Sequence, residues 1–202
     1  MNKNNNISAK QFFKGCLSIL KNSLWLIGIQ VVMSLFSIVM STNAEDPSEI
    51  IRALSILMTA STLLIIFFIS KSSAYTDFQV YKNNYIRNKR GDEVPAENYI
   101  KQYRWYNGLI YSFLACLPSI ILAIIGISKS PISSESNWGG SVAMIINLVY
   151  IIPLINYGAL NSLYLVFLAS ILVIAAASSG YAIYGEKLKL QFFELQNKDG
   201  KR

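Results

Sequence analysis

Four long stretches without a charged residue dominate the chain. A run of about 18 or more predominantly apolar residues is typical of a helix that crosses a bilayer. The pattern therefore predicts an all-α fold, an integral membrane helical bundle in a single membrane domain. The four stretches cover residues 22–44, 53–70, 105–128 and 136–185.

The last stretch is too long for one membrane-spanning helix. Fifty helical residues would extend about 75 Å, against a hydrocarbon core of about 30 Å. Pro153 and the run Asn156-Tyr157-Gly158 are turn formers, and they predict a break. We expect a fourth span at 159–184 and a short outer-side helix at 142–155, either interfacial or re-entrant. The alternative is that this short helix also crosses, which gives five spans.

The distribution of basic residues predicts the orientation. With four spans at 22–44, 50–72, 105–127 and 159–184, sixteen of the eighteen Lys and Arg residues fall on one side. Because basic loops stay in the cytoplasm, we expect a multi-pass protein of the cell membrane with both termini inside. Five spans would divide the basic residues eleven to seven. The cytoplasmic parts are then a tail at 1–21, a basic loop at 73–104 and a second tail at 185–202.

The basic loop contains the main candidate contact surface. Nothing forbids the second helix from continuing to Gly91, and aromatic residues recur there every three or four positions. A cationic segment beside the inner leaflet attracts anionic headgroups, and it can equally bind a membrane or cytoplasmic protein partner. The candidate contact residues are Arg87, Lys89, Arg90, Tyr81 and Tyr85.

The N-terminal tail also has an amphipathic pattern. Ser8 and Gln11 form a capping pattern, and apolar residues then gather on one face. This predicts a short interfacial helix before the first span, with a plain continuation of that span as the alternative.

Small residues predict where helices pack closely. Ala176 and Gly180 lie four positions apart in the fourth span, a spacing that lets backbones approach. Pro118 interrupts the third span and is expected to kink it. These three residues are the candidate helix-packing positions.

Composition narrows the function classes. The chain has 53% hydrophobic and 14% charged residues, no histidine, and two cysteines, Cys16 and Cys116, that are expected to be free thiols. The absence of histidine removes the commonest metal ligand and general base. We therefore expect no metal, no cofactor and no enzymatic activity. We expect the basic residues behind the net charge of +7 to contact the headgroups of the lipid bilayer rather than nucleic acid.

Two short motifs resemble those of small polytopic membrane proteins from AT-rich Gram-positive bacteria. The first is Tyr106-Asn107-Gly108-Leu109, which opens the third span toward Leu117-Pro118. The second is Gly180-Tyr181 before a basic tail; the group tends toward Gly-Tyr-x-x-Gly-Tyr-Lys, whereas this chain has Tyr184-Gly185-Glu186. The resemblance covers the second half and implies no activity and no site residues.

These observations favour a non-enzymatic accessory or assembly subunit. The alternative is a small transporter or channel component, because a discontinuous helix near Pro153 to Gly158 can build a substrate site. An intramembrane enzyme that uses Cys116 or a serine lacks a visible base. No charged residue falls inside a predicted apolar span, and this disfavours a proton-coupled mechanism.

Overall fold

The computed structural model describes residues 9–41, 49–129, 138–156 and 163–199, and in these ranges the regular structure is entirely helical. The helix bounds are α1 Ala9–Ser41, α2 Glu49–Arg90, α3 Ala96–Lys101, α4 Asn107–Lys129, α5 Trp138–Ile146, α6 Leu148–Asn156 and α7 Tyr164–Asp199. Three of the seven helices in these ranges, α1, α2 and α7, are much longer than the hydrocarbon core of a membrane is thick.

Four of these helices are long and apolar enough to cross a membrane. They are α1, α2, α4 and α7, and a fifth candidate appears only if the bent pair α5 and α6 counts as one span. The expected all-helical class with four candidate spans is therefore confirmed. Helices α1, α2 and α4 run alternately up and down, and α7 lies parallel to α2, against which it packs most extensively.

The core has three layers along the bundle axis. The middle layer joins α1, α2, α4, α6 and α7 around Ile66, Cys116, Tyr150 and Val173, all almost completely buried. A second layer contains Ala74, Phe78, Tyr103, Tyr111 and Tyr181. This layer lies toward the C-terminal ends of α2 and α7, which we call the basic end of the bundle because residues 71–104 meet it. The third layer lies at the opposite end and contains Ala123, Ala143, Ile151 and Val166.

The segment 73–104, which connects the second and third candidate spans, is mostly helix, and α2 continues up to Gly91 as the sequence permits. Helix α2 continues without interruption to Arg90 and extends about 63 Å over its 42 residues. Gly91 then ends it with φ +82°, a left-handed conformation that glycine adopts without strain. The helix continues because residues beyond Ser70 pack against α7.

The N-terminal segment also differs from the expected interfacial helix. Helix α1 runs unbroken from Ala9 to Ser41, so the alternative of a plain continuation describes the structure.

The structure divides the expected single helix at 142–155. Helices α5 and α6 meet at Asn147 with a bend of 88°. Pro153 lies inside α6 and does not end it; its missing N–H leaves the carbonyl of Val149 without a helical partner, and the Thr59 hydroxyl donates to that carbonyl instead. The turn formers at 157 and 158 lie outside the described residues.

Candidate functional site

The α2–α7 extension is the part of these two helices beyond their charge-free stretches, residues 71–90 and 186–199. Ring contacts connect the two helices along it. The ring of Tyr85 lies 5.6 Å from both Phe192 and Phe193, and the ring of Phe78 lies 6.2 Å from Phe192. The ammonium of Lys82 lies 5.8 Å from the Phe192 ring centre. The two helices thus remain packed together beyond their apolar parts.

The structure separates the five candidate contact residues into two groups. Arg87, Lys89 and Arg90 are exposed in the last turn of α2. Tyr81 and Tyr85 are only half-exposed, and they take part in the ring contacts, Tyr81 stacking on Phe78 at 6.1 Å. The tyrosines therefore stabilise the extension, and the three basic residues form an exposed cationic surface at the end of α2.

The candidate packing residues also occupy different environments. Gly180 is buried, and a Cβ atom placed there would lie 2.5 Å from the carbonyl oxygen of Phe67. Ala176 packs partly buried against the middle core layer. Pro118 is exposed within α4, which continues through it. Of the three, Gly180 marks the closest approach of two backbones, those of α2 and α7.

A buried carboxylate at the basic end escaped the sequence analysis. Asp77 is 5% exposed, and its Oδ2 accepts hydrogen bonds from the hydroxyls of Tyr111 and Tyr181, each at 2.6 Å. These three residues belong to α2, α4 and α7. Helical spacing could have revealed its burial, since Asp77 lies on the same face of α2 as Ala74, Phe78 and Tyr81.

Tyr103 covers this cluster from the connection between α3 and α4. Its backbone N–H donates to the Asp77 carbonyl oxygen at 2.9 Å, and its ring stacks on Tyr181. Its hydroxyl donates to the Ala182 carbonyl and lies 3.2 Å from Glu186 Oε1. Burial, and then the charge of Glu186, raise the pKa of Tyr103 above its usual range. The phenol therefore remains a hydrogen-bond donor at neutral pH.

The break between α5 and α6 forms a second polar region, at the middle of the bundle. The Ser34 hydroxyl donates to the Ile146 carbonyl at 2.8 Å and accepts from the Val149 N–H at 3.3 Å. Thr59 donates to the Val149 carbonyl. Side chains of α1 and α2 thus satisfy backbone groups that the bend and Pro153 release from the helix.

Three buried polar atoms near this break have no hydrogen-bond partner among the described residues. They are Gln30 Nε2, Asn147 Oδ1 and the Tyr150 hydroxyl, in side chains that are each 1% exposed. A buried polar group without a partner costs free energy.

The described residues contain no clustered group of three or more Cys, Asp and Glu that could hold a metal ion. Both cysteines are free, and Cys116 is buried with its Sγ 3.8 Å from the Ser170 carbonyl oxygen. No protein-family model, curated protein or solved structure matches this chain significantly.

Proposed function

We propose that the protein is a multi-pass component of the cell membrane, with four spans and both termini in the cytoplasm. The apolar windows of the four candidate helices are only 17% to 39% buried inside the bundle. Large side chains such as Trp25, Phe36 and Ile171 are more than half exposed. A surface of this kind needs an apolar surrounding, which a bilayer supplies. The basic end then faces the cytoplasm.

Within that membrane the protein acts as a non-enzymatic accessory or assembly subunit. The observation that supports this role is the α2–α7 extension, which holds Arg87, Lys89 and Arg90 away from the bundle on a packed helical pair. A preorganised cationic surface of this kind, held at a distance from the spans, binds an acidic surface of a protein partner.

The test replaces Arg87, Lys89 and Arg90 together by Gln in the full-length protein. Four of the seven basic residues between 71 and 104 remain, so orientation should persist. We expect a stoichiometric partner that copurifies in mild detergent to be lost, and the salt sensitivity of its binding to fall.

The matched control replaces Lys101, Lys187 and Lys189 by Gln, which removes the same charge from the same end. Partner binding should survive in this control. Equal loss of partner binding in both triple variants would show that the interaction depends only on net charge. Unchanged binding in both would contradict the proposed surface.

A second candidate function is a small transporter or channel component. The bent α5–α6 pair favours it, because its backbone is satisfied by Ser34 and Thr59 and unpartnered polar atoms lie nearby. Irregular backbone inside membrane proteins commonly borders substrate or ion sites. Solute flux into proteoliposomes, compared between the wild type and Asn147→Leu, separates this function from the accessory role.

A further inference from the structure

A groove on the surface between α1 and α2 opens at the basic end. Its volume is about 470 Å³, and all of its lining residues come from these two helices. It therefore opens sideways, away from the bundle axis. Its polar lining consists of Lys21, Asn22, Ser72, Ser73, Thr76 and Asp77.

The charges of the groove are separated. Asp77 is buried, whereas Lys21 is exposed. In the part of the chain that the structure describes, Asp77 forms no ion pair with a basic side chain, and both of its phenol partners donate to Oδ2. A buried carboxylate is stabilised by a cation as well as by hydrogen bonds, so the groove is suited to a positively charged group.

The other lining residues fit the rest of a phospholipid. Lys21 and the hydroxyls of Ser72 and Ser73 are donors of the kind that bind phosphate oxygens. Trp25, which is 63% exposed, and Ile69 provide the apolar part of the groove. Tryptophan is enriched at the level where headgroups meet acyl chains.

We infer that the groove binds the headgroup of a phospholipid that bears a primary amine. The ammonium contacts the Asp77 carboxylate, the phosphate contacts Lys21 and the serine hydroxyls, and the acyl chains follow Trp25 and Ile69 toward the bilayer. This inference rests on the membrane placement proposed above. The positive net charge of the protein alone would favour anionic lipids. This groove instead favours a zwitterionic headgroup, because Asp77 pairs with its ammonium and Lys21 with its phosphate.

The experiment titrates the purified full-length protein with lipids that share acyl chains and differ in headgroup. Native mass spectrometry measures the apparent Kd, and the midpoint of thermal unfolding provides a second readout. We expect phosphatidylethanolamine to bind about tenfold more tightly than phosphatidylcholine, whose quaternary ammonium cannot donate a hydrogen bond, or phosphatidylglycerol, which lacks the amine.

Variants assign the selectivity to the groove. Asp77→Asn keeps the side-chain shape and should lose most of the preference for phosphatidylethanolamine, while Asp92→Asn, at an exposed position of the same end, should keep it. Lys21→Gln should weaken all phospholipids that bind there, with Lys187→Gln as its control. If Asp77→Asn does not fold, the headgroup selectivity of the wild type and the Lys21→Gln result still decide.

Three outcomes would overturn the inference. Equal binding of the three lipids, or retained selectivity in Asp77→Asn, would contradict the proposed headgroup site. Neither result would contradict the proposed membrane placement. If soluble phosphoethanolamine binds as tightly as the lipid, the groove recognises an amine and a phosphate, but the assignment to a lipid is wrong. A protein that does not sediment with membranes would contradict the proposed function itself, before any headgroup is compared.

Discussion

At the residue scale, Asp77 joins three helices through one oxygen atom. The hydroxyls of Tyr111 and Tyr181 donate to its Oδ2, and the backbone N–H of Tyr103 donates to the backbone carbonyl oxygen of Asp77. Burying a carboxylate is costly unless strong donors replace water, and hydrogen bonds to a charged acceptor are stronger than neutral ones. The arrangement therefore fixes the positions of α2, α4 and α7 relative to one another at the basic end.

Removing one phenol hydroxyl should weaken the fold. We expect Tyr181→Phe or Tyr111→Phe to lower the free energy of unfolding by about 1.5–3 kcal/mol, since each hydroxyl donates to a buried acceptor. The double variant should cost more than the sum of the two, because each hydroxyl partly compensates for the loss of the other at the shared oxygen, and without both the buried oxygen loses its two phenol donors. Unfolding of the detergent-purified protein measures this. Tyr75→Phe, at a position 48% exposed, is the control and should be neutral.

Gly180 offers a second test at this scale. We expect Gly180→Ala to destabilise the protein by about 1–3 kcal/mol, because the added Cβ would meet the backbone of Phe67 and the helices must separate. Gly28→Ala is the matched control, since nothing lies within 4 Å of its Cβ position. Equal midpoints of thermal unfolding for the two variants would show that α2 and α7 do not depend on this approach.

At the element scale, the bent pair α5 and α6 depends on its neighbours for backbone hydrogen bonds. A bend of 88° at Asn147 interrupts the helical ladder, and Ser34 binds groups on both sides of it. Short helices of nine residues are not stable alone, so the pair is stabilised by tertiary contacts.

Ser34→Ala should therefore loosen this pair selectively. It leaves a buried carbonyl and a buried N–H without a partner, which should cost about 1–3 kcal/mol. Hydrogen exchange in peptides covering 138–156 should become faster, while α7 remains protected. Ser128→Ala removes only a local, exposed hydrogen bond to Ile125 and should change neither. Unchanged exchange in Ser34→Ala would contradict the role of this hydroxyl.

At the scale of the whole molecule, the basic residues collect at one end. Five of the seven between 71 and 104 lie in the last part of α2, Lys187 and Lys189 lie in the last part of α7, these two helices are parallel, and α1 begins at the same end. Such segregation predicts the orientation of a membrane protein. It also opposes a fifth span, which would place the C-terminal basic residues outside.

Cysteine labelling tests the orientation directly. In a background without Cys16 and Cys116, single cysteines at positions 43 and 134 should react with an impermeant thiol reagent in whole cells, because we place both loops outside. A cysteine in place of Asn197, an exposed residue of α7, should react only after the membrane is opened. Labelling of that site in intact cells would establish the five-span alternative.

The sequence alone determined the helical class and the number of candidate spans. Charge-free stretches as long as 53–70 have one low-energy state in an apolar environment, an α-helix, so no knowledge of neighbours was needed. The stop at Gly91 also followed from local chemistry, because glycine adopts a positive φ without strain. These features depend on residues close in sequence.

Tertiary structure decided what depends on neighbours. The sequence permits helix as far as Gly91, but only packing against Phe192 and Tyr181 buries this part of α2 and encloses Asp77. The bend at Asn147 lies beside no proline or glycine, and it is stabilised by Ser34, 113 positions earlier. A sequence pattern shows whether a segment prefers an apolar or an aqueous environment. Contacts between distant segments determine which polar groups become buried and need hydrogen-bond partners.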